Sequence, residues 1–458
     1  MAGPADAPYG SGMEQNTSPM PDQRRAPFLR VVTASLIGTT IEWYDFFLYG
    51  SAAALVFNHV FFPESDPLIG TMLAFTTYAV GFVARPLGGL VFGHFGDRIG
   101  RKQLLVISLL MMGGATFAVG LLPTYAAVGV AAPLLLTLLR VVQGFALGGE
   151  WGGAVLLVAE HGKPRHRGFW ASWPQAGAPG GNLLATAVLA VLAVVMSEAA
   201  FLDWGWRIPF LISGVLVLVG LWIRLTVSES QVFREARERA EVSARPERAP
   251  ILGVLRDHWR EALVAMGVRM AENVSYYVVT AFILVYATQQ AQMPNGQVLN
   301  AVLAASAVHL VTIPLWGALS DRLGRRPVTA VGAAGMGLWA FAFFPLIDVG
   351  TFGSVTLAAT VGLVLHGAMY GPQAAFFSEL FSTRVRYSGA SVGYQLASIV
   401  AGGVAPLIAT ALLASFGTST PIALYVAVMC VLTLVAVALS RETRGSDLSR
   451  VSVSERSD

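Results

Sequence analysis

Charge is what this chain has least of. Only 12% of its 458 residues are Asp, Glu, Lys or Arg, half of the roughly 25% that a soluble globular chain carries. Cysteine is nearly absent: Cys430 stands alone, which excludes an internal disulfide and a cysteine metal cluster. No HExxH, nucleophile elbow or clustered His/Asp set appears, so the sequence does not read as a membrane-embedded enzyme, and no cofactor is implied. What is present is apolar: 55% of the residues, with a mean hydropathy of +0.62. A disordered chain, a disulfide scaffold and an ordinary soluble enzyme are all excluded. One spanning helix needs about 20 apolar residues, and the chain supplies about a dozen such stretches.

The net charge of +3 and the pI near 9.1 could suggest nucleic-acid binding, but the cations are distributed otherwise. Nearly all of them fall on one side of the alternating hydrophobic map: Arg24, Arg25 and Arg30, the 98–102 and 163–167 loops, Arg224 to Arg260, Arg322 to Arg326, Arg384, Arg386, and the tail from Arg441. The opposite loops carry Glu64, Asp66, Glu198, Asp203 and Asp348, with Arg207 as their one cation. That asymmetry is the positive-inside pattern of a multi-pass protein in a cell or inner membrane, with both termini in the cytoplasm. The basic pI reports topology, and no nucleic-acid partner follows from it.

The hydrophobic map places spans at 31–57, 68–92, 103–122, 131–159, 168–194, 207–225, 261–288, 298–319, 328–346, 354–379, 388–414 and 421–440. The organisation is a disordered tail over 1–30, a six-helix bundle over 31–225, and a cytoplasmic linker over 226–260. A second bundle over 261–440 and a tail over 441–458 complete it. The N-terminal QRRAPFLR (23–30) superficially resembles a twin-arginine export signal. The long apolar stretch behind it holds Glu42 and Asp45 and shows no cleavage site. In the linker, Glu and Arg alternate, which speaks against a basic lipid-binding block.

The halves repeat. GHFGDRIGRK (93–102) follows the second span and GALSDRLGRR (317–326) the eighth, so Asp97/Asp321, Arg98/Arg322 and Arg101/Arg325 are in step. Glu160 with Arg165 and Arg167 matches Glu379 with Arg384 and Arg386. A duplicated six-span unit is one way to build a transporter that rocks about a midplane site. The chain therefore reads as an all-α integral membrane protein, twelve transmembrane helices in two pseudo-symmetric six-helix bundles.

These DRxGR[KR] loops, with Arg140, Gln143 and Gly144 as an RxxQG set in span four, resemble the major facilitator superfamily. IGTTIEWYDFFLYG (37–50), GFVARPLGGLVFGHFGDRIGRK (81–102), LRVVQGFALGGEWGGA (139–154) and DWGWRIPF (203–210) are similar to its metabolite:proton symporter family. RMAENVSYYVVTAF (269–282) and SGASVGYQLASIVAGG (388–403) agree in the second half, and the pattern is nearest the shikimate permease branch. The resemblance implies the major facilitator fold and proton-coupled import of a small anionic or zwitterionic metabolite by a monomer. Shikimate, dicarboxylates and proline or betaine are the substrates it suggests. Osmosensing members end in a long coiled coil, for which the 18 residues after Ser440, without heptads, offer no place. Sequence does not give the direction of coupling, so export of a small metabolite or natural product stays open; a receptor would need an added signalling domain.

Ionisable residues inside apolar spans each cost about 2.5–3.5 kcal/mol at a helix centre. At 1.5 Å per residue, Glu42 and Arg85 lie about 18 Å from the cytoplasmic edge, Glu272 at the same level, and Glu150 about 15 Å deep. Asp45 and Arg269 each sit three positions from one of these acids, on its helix face. An arginine offers a donor fork matched to a carboxylate, and a buried acid is pushed towards neutrality by desolvation. Arg85, Arg140, Arg269 and Gln143 are thus candidate substrate ligands, and Asp45, Glu42, Glu272 and Glu150 candidate proton carriers. The competing reading is mutual neutralisation, Arg85 by Asp45 or Glu42 and Arg269 by Glu272. Arg140 lies about 30 Å from the cytoplasmic edge, nearer the outer leaflet, where a snorkelling arginine is the bland alternative; its RxxQG setting resembles the family's proton-transfer motif.

Asp97, Arg98, Arg101, Asp321, Arg322 and Arg325 are candidate gate residues, with Gly93, Gly96 and Gly100 permitting tight turns. An acid there could accept from a facing helix N-terminus and latch the halves. The glycines of LGGEWGGA and QAGAPGG (175–181) suit close helix contact and are not phosphate loops, although GAPGG partly resembles an antiporter motif. His309 and His366 read as hydrogen-bonded packing residues. No metal site is expected.

Overall fold

The computed structural model describes residues 25–99, 101–148, 158, 164–226, 256, 258–381 and 386–446. Among them there is no strand. Twelve long helices follow one another among the described residues: α1 (Arg25–Leu55), α2 (Pro67–Ile99), α3 (Arg101–Leu121), α4 (Ala131–Leu147), α5 (Arg167–Val195) and α6 (Arg207–Thr226) form the first half. α7 (259–289), α8 (Asn295–Leu323), α9 (Arg325–Asp348), α10 (Phe352–Leu380), α11 (386–416) and α12 (Thr420–Leu439) form the second. Eight of them are long and apolar enough to span a membrane, and α6 with the helical turn before it, bent by 47°, makes a ninth. In α1 the acids Glu42 and Asp45 lower the hydropathy, while the apolar cores of α3 and α4 within the described residues, Val106–Leu121 and Ala131–Leu147, are shorter.

Two spans are interrupted by π geometry: α7 at Val278–Phe282 and α11 at Ser398–Gly403. Such widened turns add a residue to the helix and recur at functional positions. Tyr276 and Tyr277 directly precede the first of them. Prolines sit inside helices, Pro86 beside Arg85 and Pro174, Pro179, Pro314, Pro345 and Pro372 elsewhere, as membrane-spanning helices tolerate more readily than soluble ones.

The repeat is visible in the helix ends, with one correction to the expected loops. α2 runs through Gly93 and Gly96 to Ile99, and α8 runs through Asp321 to Leu323. Asp97 and Asp321 therefore occupy the last turns of helices. In the second half Gly324 breaks the run: it takes φ +107°, a conformation that a side chain disfavours, and ends α8 before α9 begins.

Without a hydrophobic force between helices in lipid, close approach through small residues holds the bundle. A Cβ on Gly144 would stand 1.9 Å from the Gly81 carbonyl, and one on Gly148 1.9 Å from the Arg85 carbonyl, so α4 and α2 touch backbone to backbone. In the QAGAPGG stretch a Cβ on Gly177 would meet Thr39 at 2.6 Å, and one on Gly181 the Tyr44 backbone at 2.5 Å, fixing α5 on α1. These contacts set where Arg85, Arg140 and Asp45 sit. Gly144→Ala is expected to destabilise the protein by about 1–3 kcal/mol, read as a lowered thermal midpoint in detergent. Gly38→Ala, where an added Cβ meets nothing within 4 Å, should leave the midpoint unchanged or raised. Equal behaviour of the two variants would contradict the packing assignment.

Candidate functional site

The centre of the molecule is an aromatic box around cations. Arg85 of α2 places its guanidinium 4.5 Å from the Phe46 ring centroid and 4.1 Å from that of Phe82. Arg140 of α4 lies 4.6 Å from the same Phe46 ring, 4.3 Å from Tyr49 and 4.6 Å from Tyr78. Each aromatic face offers the cation a negative quadrupole where water cannot solvate it. Arg140 is thus drawn into the central cluster and does not reach the outer interface as its depth suggested; its side chain is 1% exposed. One of its donors is met by Gln143 Oε1 at 2.9 Å, and Gln143 in turn donates to Thr116 Oγ1 at 2.7 Å.

Asp45 borders Arg140, Gln143 and Phe46 around a cavity of about 10 Å³, room for no more than one water. One carboxylate oxygen of Asp45, together with Nε and Nη2 of both Arg85 and Arg140, is buried without a hydrogen-bond partner. Among the described residues no carboxylate lies within ion-pair distance of Arg85 or Arg140, unlike Arg269 and Glu272, which stand 3.4 Å apart. Glu42, one turn before Asp45 on α1, is half-buried. Glu150 lies outside the described residues.

The second bundle contributes α7. Arg269 donates to Gln373 Oε1 at 2.8 Å and to Asn273 Oδ1 at 3.4 Å, and its guanidinium lies 3.3 Å over the Tyr394 ring. Tyr277 packs against Phe46, Phe82 and Tyr78 at 6.3, 5.8 and 6.0 Å, and Tyr276 against Phe47 at 5.1 Å. These rings join the two halves across the centre. Arg85, Arg140, Arg269, Asp45 and Glu272 are each less than 5% exposed, so these five charged groups are closed off from solvent. Tyr276, Tyr277 and Tyr394 escaped the sequence reading because an aromatic residue in an apolar span looks like core; the polar run ENVSYY (272–277) was the available signal.

At the basic end, buried charges tie the bundles together. Asp321 Oδ1 and Oδ2 accept the backbone N–H groups of Gly168 and Phe169 at 2.8 and 2.9 Å, the N-terminus of α5 and the favourable end of its dipole. Arg325 bridges Asp321 at 2.8 Å and Glu379 at 3.1 Å, and Arg167 of the first bundle meets Glu379 at 2.8 Å. Gly168 and Gly317 permit the approach: a Cβ on Gly317 would stand 2.6 Å from the Gly168 carbonyl. Arg322 is exposed, and its carbonyl accepts from Arg444. The backbone of Asp97, Arg98 and Arg101 lies in α2 and α3 in register with Asp321, Arg322 and Arg325, but their side chains, with Glu160 and Arg384, lie outside the described residues.

The tail after α12 wraps this end. Glu442 accepts the backbone N–H groups of Arg325, Arg326, Thr443 and Arg444 at 2.9–3.1 Å; Thr443 Oγ1 donates to Glu379 at 2.9 Å, and Arg167 donates to the Ser446 carbonyl at 3.1 Å. Partial burial alone would raise the Glu442 pKa, but the four N–H donors outweigh it and hold the carboxyl below its ordinary value. A depressed carboxylate contributes stability above its unfolded pKa and loses it as pH falls through the folded value. The tie should therefore hold unchanged from pH 8 to pH 5. Glu442→Gln should release it, read as faster trypsin cleavage after Arg441 and Arg444 at neutral pH; cleavage at the wild-type rate would contradict this.

The model of the sugar (and other) transporter family matches residues 31–454. The inner membrane metabolite transport protein YhjE of Escherichia coli K12 is 42% identical over 424 residues, 92% of this chain and 95% of that protein. The shikimate transporter of the same organism is 41% identical over 91% of this chain and 95% of its own. Its proline/betaine transporter is 33% identical over 92% of this chain and 84% of its own. Among solved structures, the proton:xylose symporter XylE aligns at a TM-score of 0.70 with 16% identity, covering 93% of this chain and 98% of that one, which speaks to the fold alone. These matches extend over nearly the whole length of the chain and identify a multi-pass membrane transporter, not an enzyme. The chain belongs to the sugar (and other) transporter family of the major facilitator superfamily.

Proposed function

We propose that the protein is a proton-coupled symporter that imports a small carboxylate-bearing metabolite. The observation that carries this reading is the pair Arg85 and Arg140: two buried guanidiniums around one ring, with unmet donors and no acidic partner among the described residues. A buried cation without a counter-ion is costly, and a substrate carboxylate would supply the missing charge and the missing acceptors. Arg269, Asn273 and Tyr394 face the same centre from the other bundle and would hold the remaining polar groups. The relatives whose names include shikimate and proline/betaine carry carboxylates as cargo, which makes shikimate the first probe.

Asp45, with Glu42 one turn away, is the proposed proton carrier. It borders Arg140 in the small central cavity with one oxygen unpartnered. Ionised, it competes with the substrate for the arginine; protonated, it leaves the arginine to the substrate. Binding should therefore weaken as pH rises. The charge ties at the basic end are the proposed gate, with that end and both termini facing the cytoplasm, so the centre, its charged groups closed off from solvent, is an occluded intermediate of alternating access. Asp321, Arg325 and Glu379 can part without stranding charge, because water would reach them in the open state.

The direct test is uptake of labelled shikimate by membrane vesicles under an imposed proton gradient. Accumulation in right-side-out vesicles with acid outside is expected; accumulation only in inverted vesicles would establish export. Arg85→Lys keeps the charge but loses the fork, so affinity should fall tenfold or more, about 1.4 kcal/mol. Unaltered affinity would reduce Arg85 to a structural cation. Asp45→Asn should abolish concentrative uptake while substrate exchange continues. Concentrative uptake with a normal pH profile in that variant would move the proton to Glu42 or Glu272.

A further inference from the structure

Two buried histidines lie on neighbouring helices of the second bundle, His309 on α8 and His366 on α10, 0% and 1% exposed. His366 Nδ1 stands 2.9 Å from His309 Nε2, and His366 Nε2 stands 3.3 Å from Glu272 Oε1 on α7. The hydrogen pattern follows from the acceptors. An ionised Glu272 only accepts, so His366 carries its proton on Nε2 and leaves Nδ1 to accept from His309 Nε2–H. His309 Nδ1 is then a bare lone pair, and it is buried without a partner. Buried polar atoms are nearly always satisfied. An unmet acceptor at the end of a hydrogen-bonded chain is a place for a proton to add.

We propose that His309, His366 and Glu272 form a proton-binding site in the second bundle, separate from the acids of α1. The added proton bonds to His309 Nδ1. The proton already on His309 Nε2 then crosses the 2.9 Å bond to His366 Nδ1: one N–H bond breaks, one forms, and no electrons are exchanged. His309 returns to neutrality with its proton on Nδ1, and His366 becomes the cation, still donating from Nε2 to Glu272. Every nitrogen of the pair can hold its position in both states.

The groups facing the rings decide where the charge rests. From α7 these are Glu272, which favours a cation on His366, and Arg269, which opposes it at 3.4 Å from the same carboxylate. Tyr276 lies 4.8 Å from the His366 ring and 5.8 Å from that of His309. From α10, Tyr370 lies 5.3 Å from His366, and from α11, Tyr394 sits behind Arg269. The tyrosines stay neutral, so a charged His366 competes with Arg269 for one carboxylate. Its rival contact is held at 3.4 Å while Arg269 already donates to Gln373 at 2.8 Å, so protonation loosens Arg269 towards the centre between the bundles. This site does not depend on the carboxylate reading of the cargo.

The test needs no substrate. The full chain is labelled with ¹⁵N-histidine, placed in lipid nanodiscs and followed by NMR from pH 5 to pH 9. His309→Asn and His366→Asn assign the pair among the seven histidines. The expected result is one joint titration that moves the ring nitrogens of both residues and amounts to one proton. In His309→Asn the His366 titration should vanish or shift its midpoint by a unit or more. Rings that stay neutral in fixed tautomers over the whole range, or a His366 titration untouched by His309→Asn, would overturn the proposal. If neither variant folds, converting the five other histidines to Gln leaves the pair as the only labelled rings, and the same joint titration decides.

Discussion

Guanidinium charge held at the centre of a lipid-spanning bundle is the constraint on which the rest of this structure depends. Arg85, Arg140 and Arg269 are all buried, at a depth where each isolated charge costs several kcal/mol. Three devices lower that cost: aromatic faces under each guanidinium, side-chain amides at Gln143 and Gln373, and one carboxylate at Glu272. The devices are unequally shared. Arg269 is nearly satisfied, whereas Arg85 and Arg140 rely mostly on rings. In the proposed function, that inequality makes the first bundle the half that takes the anion.

Holding such groups requires rigid surroundings, and the glycine contacts supply them. α2 and α4 approach through Gly81, Gly144 and Gly148 until their backbones touch, with Arg85 and Arg140 projecting from that seam. The two bundles meet through backbone as well as side chains, with α5 and α8 close at Gly168 and Gly317. Rings of Phe46, Phe47, Tyr276 and Tyr277 close the middle, and a charged network at Asp321, Arg325, Glu379 and Arg167 closes the basic end. The backbone approaches of α2 to α4 and of α5 to α1 lie within the first bundle, whereas the ring contacts, the charged network and the Gly168–Gly317 approach of α5 to α8 lie between the bundles. In the alternating-access mechanism proposed above, the contacts between bundles are the ones that part as the halves rock.

Much of this was legible in the sequence for physical reasons. Apolar runs are read directly because lipid tolerates no unpaired backbone, and the duplication shows in Asp97 and Asp321 because helix ends at a charged interface need the same turn twice. The central ionisable residues stood out against apolar neighbours. What stayed hidden depends on rotation and long-range pairing. Backbone depth alone puts Arg140 too far out, because it says nothing of where a long side chain points. The tie of Arg167 to Glu379 joins residues 212 positions apart, the tail at Glu442 has the composition of an ordinary charged end, and Gly93 and Gly96 sit inside a helix although their spacing suggests turns. The histidines did prove hydrogen-bonded, but to each other and to Glu272, a chain that no spacing announces.

The most direct measurement of whether Arg85 and Arg140 await an anion is calorimetric binding of shikimate and of its methyl ester to the purified protein at one pH. The two ligands share ring and hydroxyl groups and differ in the carboxylate charge. Binding of the acid with at least tenfold weaker binding of the ester is the expected result, about 1.4 kcal/mol for the charge alone. An ester that binds as tightly as the acid would contradict it, and would leave the two arginines as fixed parts of the scaffold.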